Sequence, residues 1–178
     1  ERVKNLRTGP FSGKAVLYWM IREKRSIDNW ALITAQQVAL KNKVPLYVCF
    51  QYLGIFPKSN KRQYKFLFNG LKETQEELNK KNINFIFLKG RANIEIPKLV
   101  YEKLIGTIIT DYTPLKIYKQ RIQNVLGKIS VPFFQVDGHN IVPVWVTSDK
   151  KEFAARTIRK RINTKLNKYL TNYPIIQI

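Results

Sequence analysis

The sequence predicts an α/β domain: a parallel five-stranded sheet with helices on both faces, followed by a basic C-terminal helical segment. Two observations carry this. Apolar runs of strand length alternate five times with longer helical patterns. The strand runs are continuously apolar rather than alternating, as expected of strands buried on both sides. A third sets the scale: 178 residues with 44% hydrophobic and 12% aromatic side chains suffice for one packed domain.

Ala15 to Met20 reads as the first strand. A basic turn, Ile21 to Arg25, leads to Asp28, a good N-cap for a largely buried helix over Asn29 to Lys43. Pro45 stops that helix, and Leu46 to Tyr52 is a second strand. After a loop from Gly54 to Asn60, Tyr64, Leu67, Phe68, Leu71 and Leu78 make the stripe of a helix over Lys61 to Lys81. Gly70 inside it suggests close approach of a neighbouring backbone, since glycine there costs about 1 kcal/mol against alanine. Asn84 to Leu88 is a third strand and Ile94 to Leu104 a helix, with Pro97 tolerated only in its first turn. Thr107 to Asp111, Pro114 to Gly127 and Val131 to Val136 follow as strand, helix and fifth strand. Asp149 and Glu152 form a plausible capping box for a last basic helix, Asp149 to Leu170, striped by Ile158, Ile162, Leu166 and Leu170.

Charge is the outlier: 32 Lys+Arg against 12 Asp+Glu, a net +20. Such an excess attracts polyanions, although lysines spread over solvated faces give the same total. No apolar run approaches the roughly 18 residues of a membrane span. Glu1 to Gly9 does not resemble a signal peptide, and the single cysteine, Cys49, allows no internal disulfide. An intracellular location is expected.

Ligands of open α/β sheets bind beyond the carboxyl ends of the strands. That rule nominates Trp19 to Arg22, Gln51 to Leu53, Lys89-Gly90, Asp111-Tyr112 and Asp137 to Asn140. The first strand runs into Ile21-Arg22-Glu23-Lys24, so the glycine-rich dinucleotide and phosphate loops are absent. One histidine and one cysteine argue against a metal site and a nucleophilic triad. Asp111 and Asp137 read first as loop caps accepting backbone amides, and His139-Asn140 as a turn. Trp19, Trp30 and Trp145 read as core or interface residues. The last helix has cations without interleaved aromatics, so a nucleic-acid face there is incomplete.

Several separated blocks carry a resemblance. They are Tyr18-Trp19-Met20 with Arg22, Arg25 and Asp28-Asn29-Trp30-Ala31-Leu32; Gln63-Tyr64, Phe66 and Gly70-Leu71; and Thr110-Asp111-Tyr112-Thr113-Pro114-Leu115. The most specific is Val136-Asp137, His139-Asn140, Val142-Pro143, Trp145, Ser148, Lys150, Glu152 and Ala155-Arg156-Thr157-Ile158-Arg159. Together they resemble class II cyclobutane pyrimidine dimer photolyases, in order from about Arg2 to Pro174. Gly138 departs from the family's usual alanine, which loosens the turn, and the Gly54 to Asn60 loop also differs.

The resemblance implies a Rossmann-like α/β (antenna) domain over residues 1–148. A helical segment, 149–178, then leads to an FAD-binding helical domain outside this chain. It implies light-driven repair of UV-damaged DNA by the whole protein, with this chain a monomeric scaffold, inactive alone and holding no catalytic residue. It further implies a possible antenna pigment of the 8-hydroxy-5-deazaflavin type, with Trp19, Met20, Arg22, Asp111, Asp137, His139 and Asn140 as candidate contacts. Trp145, Arg156 and Arg159 are the candidate contacts to the second domain. Two other readings remain: an independent basic nucleic-acid-binding α/β module, and a free-standing nucleotide-binding α/β enzyme.

Overall fold

A computed structural model describes residues 1–54 and 59–177. The strands are β1 (Val3–Arg7), β2 (Ala15–Met20), β3 (Leu46–Tyr52), β4 (Asn84–Lys89), β5 (Ile105–Asp111) and β6 (Phe133–Val136). The helices are α1 (Trp30–Asn42), α2 (Lys61–Asn79), α3 (Ala92–Glu102), α4 (Lys116–Leu126), α5 (Val144–Thr147) and α6 (Ala155–Tyr169). They build one six-stranded sheet in the order β1-β6-β5-β2-β3-β4.

The five expected strands are present and mutually parallel. Every residue of β2 is buried, because the strand feeds two cores. Val16, Tyr18 and Met20 pack with Leu32 and Ala35 of α1 and Leu71 and Leu78 of α2. Ala15, Leu17 and Trp19 pack on the other face with Ile96 and Leu99 of α3 and Ile122 and Val125 of α4. Cys49 lies at mid-strand in this second core, where burial pushes its thiol above its ordinary range.

The sixth strand corrects the expected count. β1 pairs antiparallel with β6, Val3 opposite Val136 and Lys4 opposite Gln135. Val-Lys-Asn-Leu-Arg has no apolar run, because an edge strand with one neighbour needs none.

Several local expectations also shift. Asn29, not Asp28, caps α1, its side-chain oxygen accepting the Leu32 amide at 2.9 Å. Asp28 instead takes φ 48°. Pro97 is the sixth residue of α3 rather than part of the first turn, because the helix begins at Ala92. The Asp149/Glu152 capping box does not form: α6 starts at Ala155 after Ala154, with no side-chain cap. Ser148 takes the carboxylate of Glu152 instead, donating to it at 2.8 Å. In the loop read over Gly54 to Asn60, residues 55–58 lie outside the described residues.

Gly70 does not approach another backbone: a Cβ there would meet nothing within 4 Å. The close approach is at Gly13 and Gly106, where a Cβ on Gly13 would lie 2.4 Å from the Gly106 nitrogen. Gly70→Ala is therefore expected to stabilise the domain by about 0.5–1 kcal/mol through helix propensity. Gly13→Ala is expected to destabilise it by about 1–3 kcal/mol through overpacking. Urea midpoints of the two variants check both signs.

Candidate functional site

The strand order reverses between β2 and β5, where an open α/β sheet ordinarily binds its ligand. Here the place is taken by the chain itself. Asp111, the last residue of β5, is fully buried. Its Oδ2 accepts the backbone amides of Ile21 (2.8 Å), Arg22 (2.6 Å) and Glu23 (3.1 Å), while Oδ1 accepts the Tyr18 hydroxyl at 2.5 Å. Successive amides converging on one acceptor form an anion nest. A carboxylate from the neighbouring strand fills it, so no phosphate is needed to satisfy these amides. Asn29 extends the network, donating to the Tyr18 oxygen at 3.0 Å and to the Glu23 carbonyl at 3.0 Å.

Asp137 is also fully buried and shapes the next turn. It accepts the amides of His139 (3.2 Å), Asn140 (3.0 Å) and Val144 (2.8 Å), and the Asn140 side chain at 2.9 Å. The expectation that both aspartates cap loops through backbone amides matches this geometry. Arg22 bridges the two turns through His139 Nε2 at 2.7 Å. Since arginine only donates, the imidazole nitrogen is the acceptor of this pair.

Arg2 ties this turn to the rest of the molecule. It donates to the carbonyls of Asp137 (3.2 Å), Asn140 (2.9 Å) and Ile141 (2.7 Å), and its guanidinium lies 4.7 Å from the centre of the Trp30 ring. Nothing in the local sequence marked Arg2, because its hydrogen-bond partners lie more than a hundred residues away.

Glu23 was missed for the opposite reason: an acid inside a basic run reads as solvated. Its side chain is 5% exposed, one carboxylate oxygen has no partner, and the other is 3.5 Å from Arg25. Burial, with the Asp111 carboxylate adding to it, pushes the Glu23 carboxyl up to about 7. Gly138 makes room for it. A Cβ there would stand 2.5 Å from the unpartnered oxygen, so the glycine at this position accommodates Glu23.

The open spaces lie elsewhere. At the ends of β2 and β3, Trp19, Met20, Lys24, Phe50, Gln51 and Arg121 line a depression of about 20 Å³. Gln51 and Arg121 separate it from a second, of about 160 Å³, walled by Arg91, Asn93 and Asn124. No carboxylate lines either. An apolar groove of about 510 Å³ runs between residues 139–152 and α6, with Ile141, Val142, Ile158, Ile162 and Leu166 in its walls. Of the seven pigment candidates, Trp19 and Met20 reach the first depression, and His139 and Asn140 the groove. Asp111 and Asp137 are committed to backbone amides, and Arg22 to His139. Trp145 is half-buried, its ring edge-on to Tyr112 and its indole N–H donating to the Glu1 carbonyl at 2.8 Å. Arg156 and Arg159 are exposed.

A pigment of about three fused rings needs an apolar slot of roughly 300 Å³ or more. The strand-end depressions carry suitable cations but not that room, so as packed they do not fit such a ring. Among the described residues no group of His, Cys, Asp and Glu side chains could hold a metal ion, and no helix is long and apolar enough to cross a membrane.

Comparison with known proteins covers nearly the whole chain. The sequence profile of the family described as DNA photolyase matches residues 16–176. A deoxyribodipyrimidine photo-lyase of Potorous tridactylus is 45% identical over 163 residues, 90% of this chain and 31% of the relative. One from Arabidopsis thaliana is 35% identical over 91% of this chain and 33% of the relative. One from Methanothermobacter thermautotrophicus is 32% identical over 96% and 38%. The chain thus spans about a third of the length of these relatives. A solved Synechocystis cryptochrome superposes with a TM-score of 0.70 at 18% identity, covering 85% of this chain and 33% of that one, a likeness of fold.

The Glu23 carboxyl gives a signed pH dependence. The folded state holds its proton up to about pH 7, the unfolded chain only to 4.5. Stability is therefore greatest below the lower value and is lost as pH rises through the upper one. Thermal melts between pH 5 and 8 should show the parent losing more stability than Glu23→Gln, which carries no titrating group there. Parallel curves for the two proteins would contradict this account.

Proposed function

Since the chain belongs to the DNA photolyase family, we propose that it is the α/β domain of a class II cyclobutane pyrimidine dimer photolyase, an intracellular enzyme that repairs UV-damaged DNA with light. The observation that carries this reading is the 45% identity to a deoxyribodipyrimidine photo-lyase across 90% of the chain. In this reading residues 1–148 are the α/β unit and 149–178 lead toward a helical FAD-binding domain outside this chain, which spans about a third of its relatives' length.

Two features support a scaffolding role. The sheet's ligand position is filled by Asp111, which closes the switch point between β2 and β5 to a substrate. The groove beside α6 presents apolar side chains that a second domain would cover. FAD supplies the photochemical electron when bound in its own domain; the residues described here hold the sheet, the turn and the docking face in place. The domain is proposed to act as one protomer of a monomeric enzyme.

An antenna pigment of the 8-hydroxy-5-deazaflavin type would take the strand-end depressions only if Arg121 moved. That side chain lines both and lies over Tyr118 at 5.1 Å. Lys24 and Arg91 would then face an anionic ligand, with Trp19 and Met20 at its inner end.

The isolated chain, illuminated with dimer-containing DNA, is expected to repair none. Joined to the helical remainder of a class II relative with FAD, it is expected to restore repair. Repair by the chain alone would overturn the reading. In pigment titrations followed by visible absorption, Arg121→Ala is expected to bind more tightly than the parent, because it merges the two depressions.

A further inference from the structure

Helix α6 divides its cations into two groups. Arg161 pairs with Glu152 at 2.9 Å, Lys165 donates to the Val146 carbonyl, and Lys168 reaches Glu1. These three fasten the helix to the domain. Arg156, Arg159 and Lys160 are exposed and carry no side-chain hydrogen bond or ion pair among the described residues. At positions i, i+3 and i+4 they share one face, which Asn163 and Thr164 continue at i+7 and i+8.

Nothing nearby in the sequence neutralises this stripe. No Asp or Glu follows Glu152, and Glu152 is already held by Arg161. Elsewhere the helices balance some of their own lysines: Lys72 with Glu76, Lys80 with Glu77, Lys98 with Glu102. The outward stripe of α6 has no apolar side chain, whereas the centre of a stable protein interface is apolar. The apolar side chains of the helix, Ile158, Ile162 and Leu166, face the groove instead.

We propose that Arg156, Arg159 and Lys160, continued by Asn163 and Thr164, bind the phosphodiester backbone of double-stranded DNA without reading its sequence. The three cations, Arg156 to Lys160, span about 6 Å of the helix at 1.5 Å per residue, and Asn163 and Thr164 extend the stripe to about 12 Å. Phosphates of one strand recur about every 3.4 Å along the duplex axis, so three cations can meet three phosphates. Asn163 and Thr164 add neutral donors of the kind that position a protein on phosphate oxygens. The choice of DNA among polyanions rests on the repair reading above; the competing expectation is that Arg156 and Arg159 contact a second protein domain.

The test is the affinity of this chain for an undamaged duplex, read by fluorescence anisotropy over a range of salt. Arg156→Ala, Arg159→Ala and Lys160→Ala together are expected to reduce the slope of log K against log salt by about 2.7, at about 0.9 for each phosphate no longer neutralised. A charge-matched change on and just after α4, Lys116→Ala, Lys119→Ala and Lys128→Ala, is expected to reduce it by less than about 1. All six side chains are exposed, so both variants are expected to keep the parent's circular dichroism spectrum. Equal effects of the two triples would mean diffuse charge, and an unchanged slope in the α6 triple would point to protein docking; either overturns the proposal. Repair by the protein joined to its helical domain is scored separately. Failure there counts against the repair reading, while the salt slope alone decides the DNA track.

Discussion

The molecule depends first on one buried carboxylate. Asp111 joins the end of β5 to the loop leaving β2, the two strands at which the sheet reverses direction. Burial raises its carboxyl above the ordinary range; the Tyr18 hydroxyl and the Arg22, Glu23 and Ile21 amides pull the other way. Nucleotide-binding α/β folds leave such amides open for a phosphate. Here they are satisfied internally, and the loop from Ile21 to Asn29 is rigidly tied to the sheet. The structural consequence is a closed strand-end surface, with accessible features displaced to the margin formed by residues 139–152 and α6.

The side chains with the most reactive chemistry are therefore mostly engaged in holding turns. Asp137 organises the passage from β6 to α5, Arg22 and His139 link the two turns, and Arg2 gathers three carbonyls of the second turn under the Trp30 ring. A domain built this way presents a preformed surface to whatever completes it. Glu23 is the exception: a buried acid with an oxygen left over, accommodated only because residue 138 has no side chain.

Much of the fold was legible in the sequence because the parallel strands are buried on both sides, so their apolar runs are uninterrupted. β2 from Ala15 to Met20 and β3 from Leu46 to Tyr52 coincide with the expected spans. β1 was not legible, since a polar edge strand leaves no periodic signal. The cap of α1 went to Asn29 rather than Asp28 because its amide both accepts from Leu32 and donates to buried oxygens, which a carboxylate cannot do. The loop-capping roles of Asp111 and Asp137 follow from residue type and position. The parts played by Arg2 and Glu23 do not, because each is fixed by residues distant in sequence. The division of α6 into anchored and free cations likewise emerged only once Glu152, Val146 and Glu1 were placed around it.

The pairing of β1 has a further consequence for assembly. Val3 sits opposite Val136, and Arg2 bonds the turn just beyond, so the backbone of β1 is paired by residues made much later. Near the other end of the chain, Tyr173 packs on Trp30 at 4.9 Å and Gln177 bonds Gln36. During synthesis, β2, α1 and β3 can pack as soon as they emerge, whereas the amino-terminal segment must wait for loop closure across most of the domain. β1 is made before β2 and β3 but placed only after β6. Until β6 arrives, both β1 and the edge of β5 that β6 will cover are open to pairing with other nascent chains.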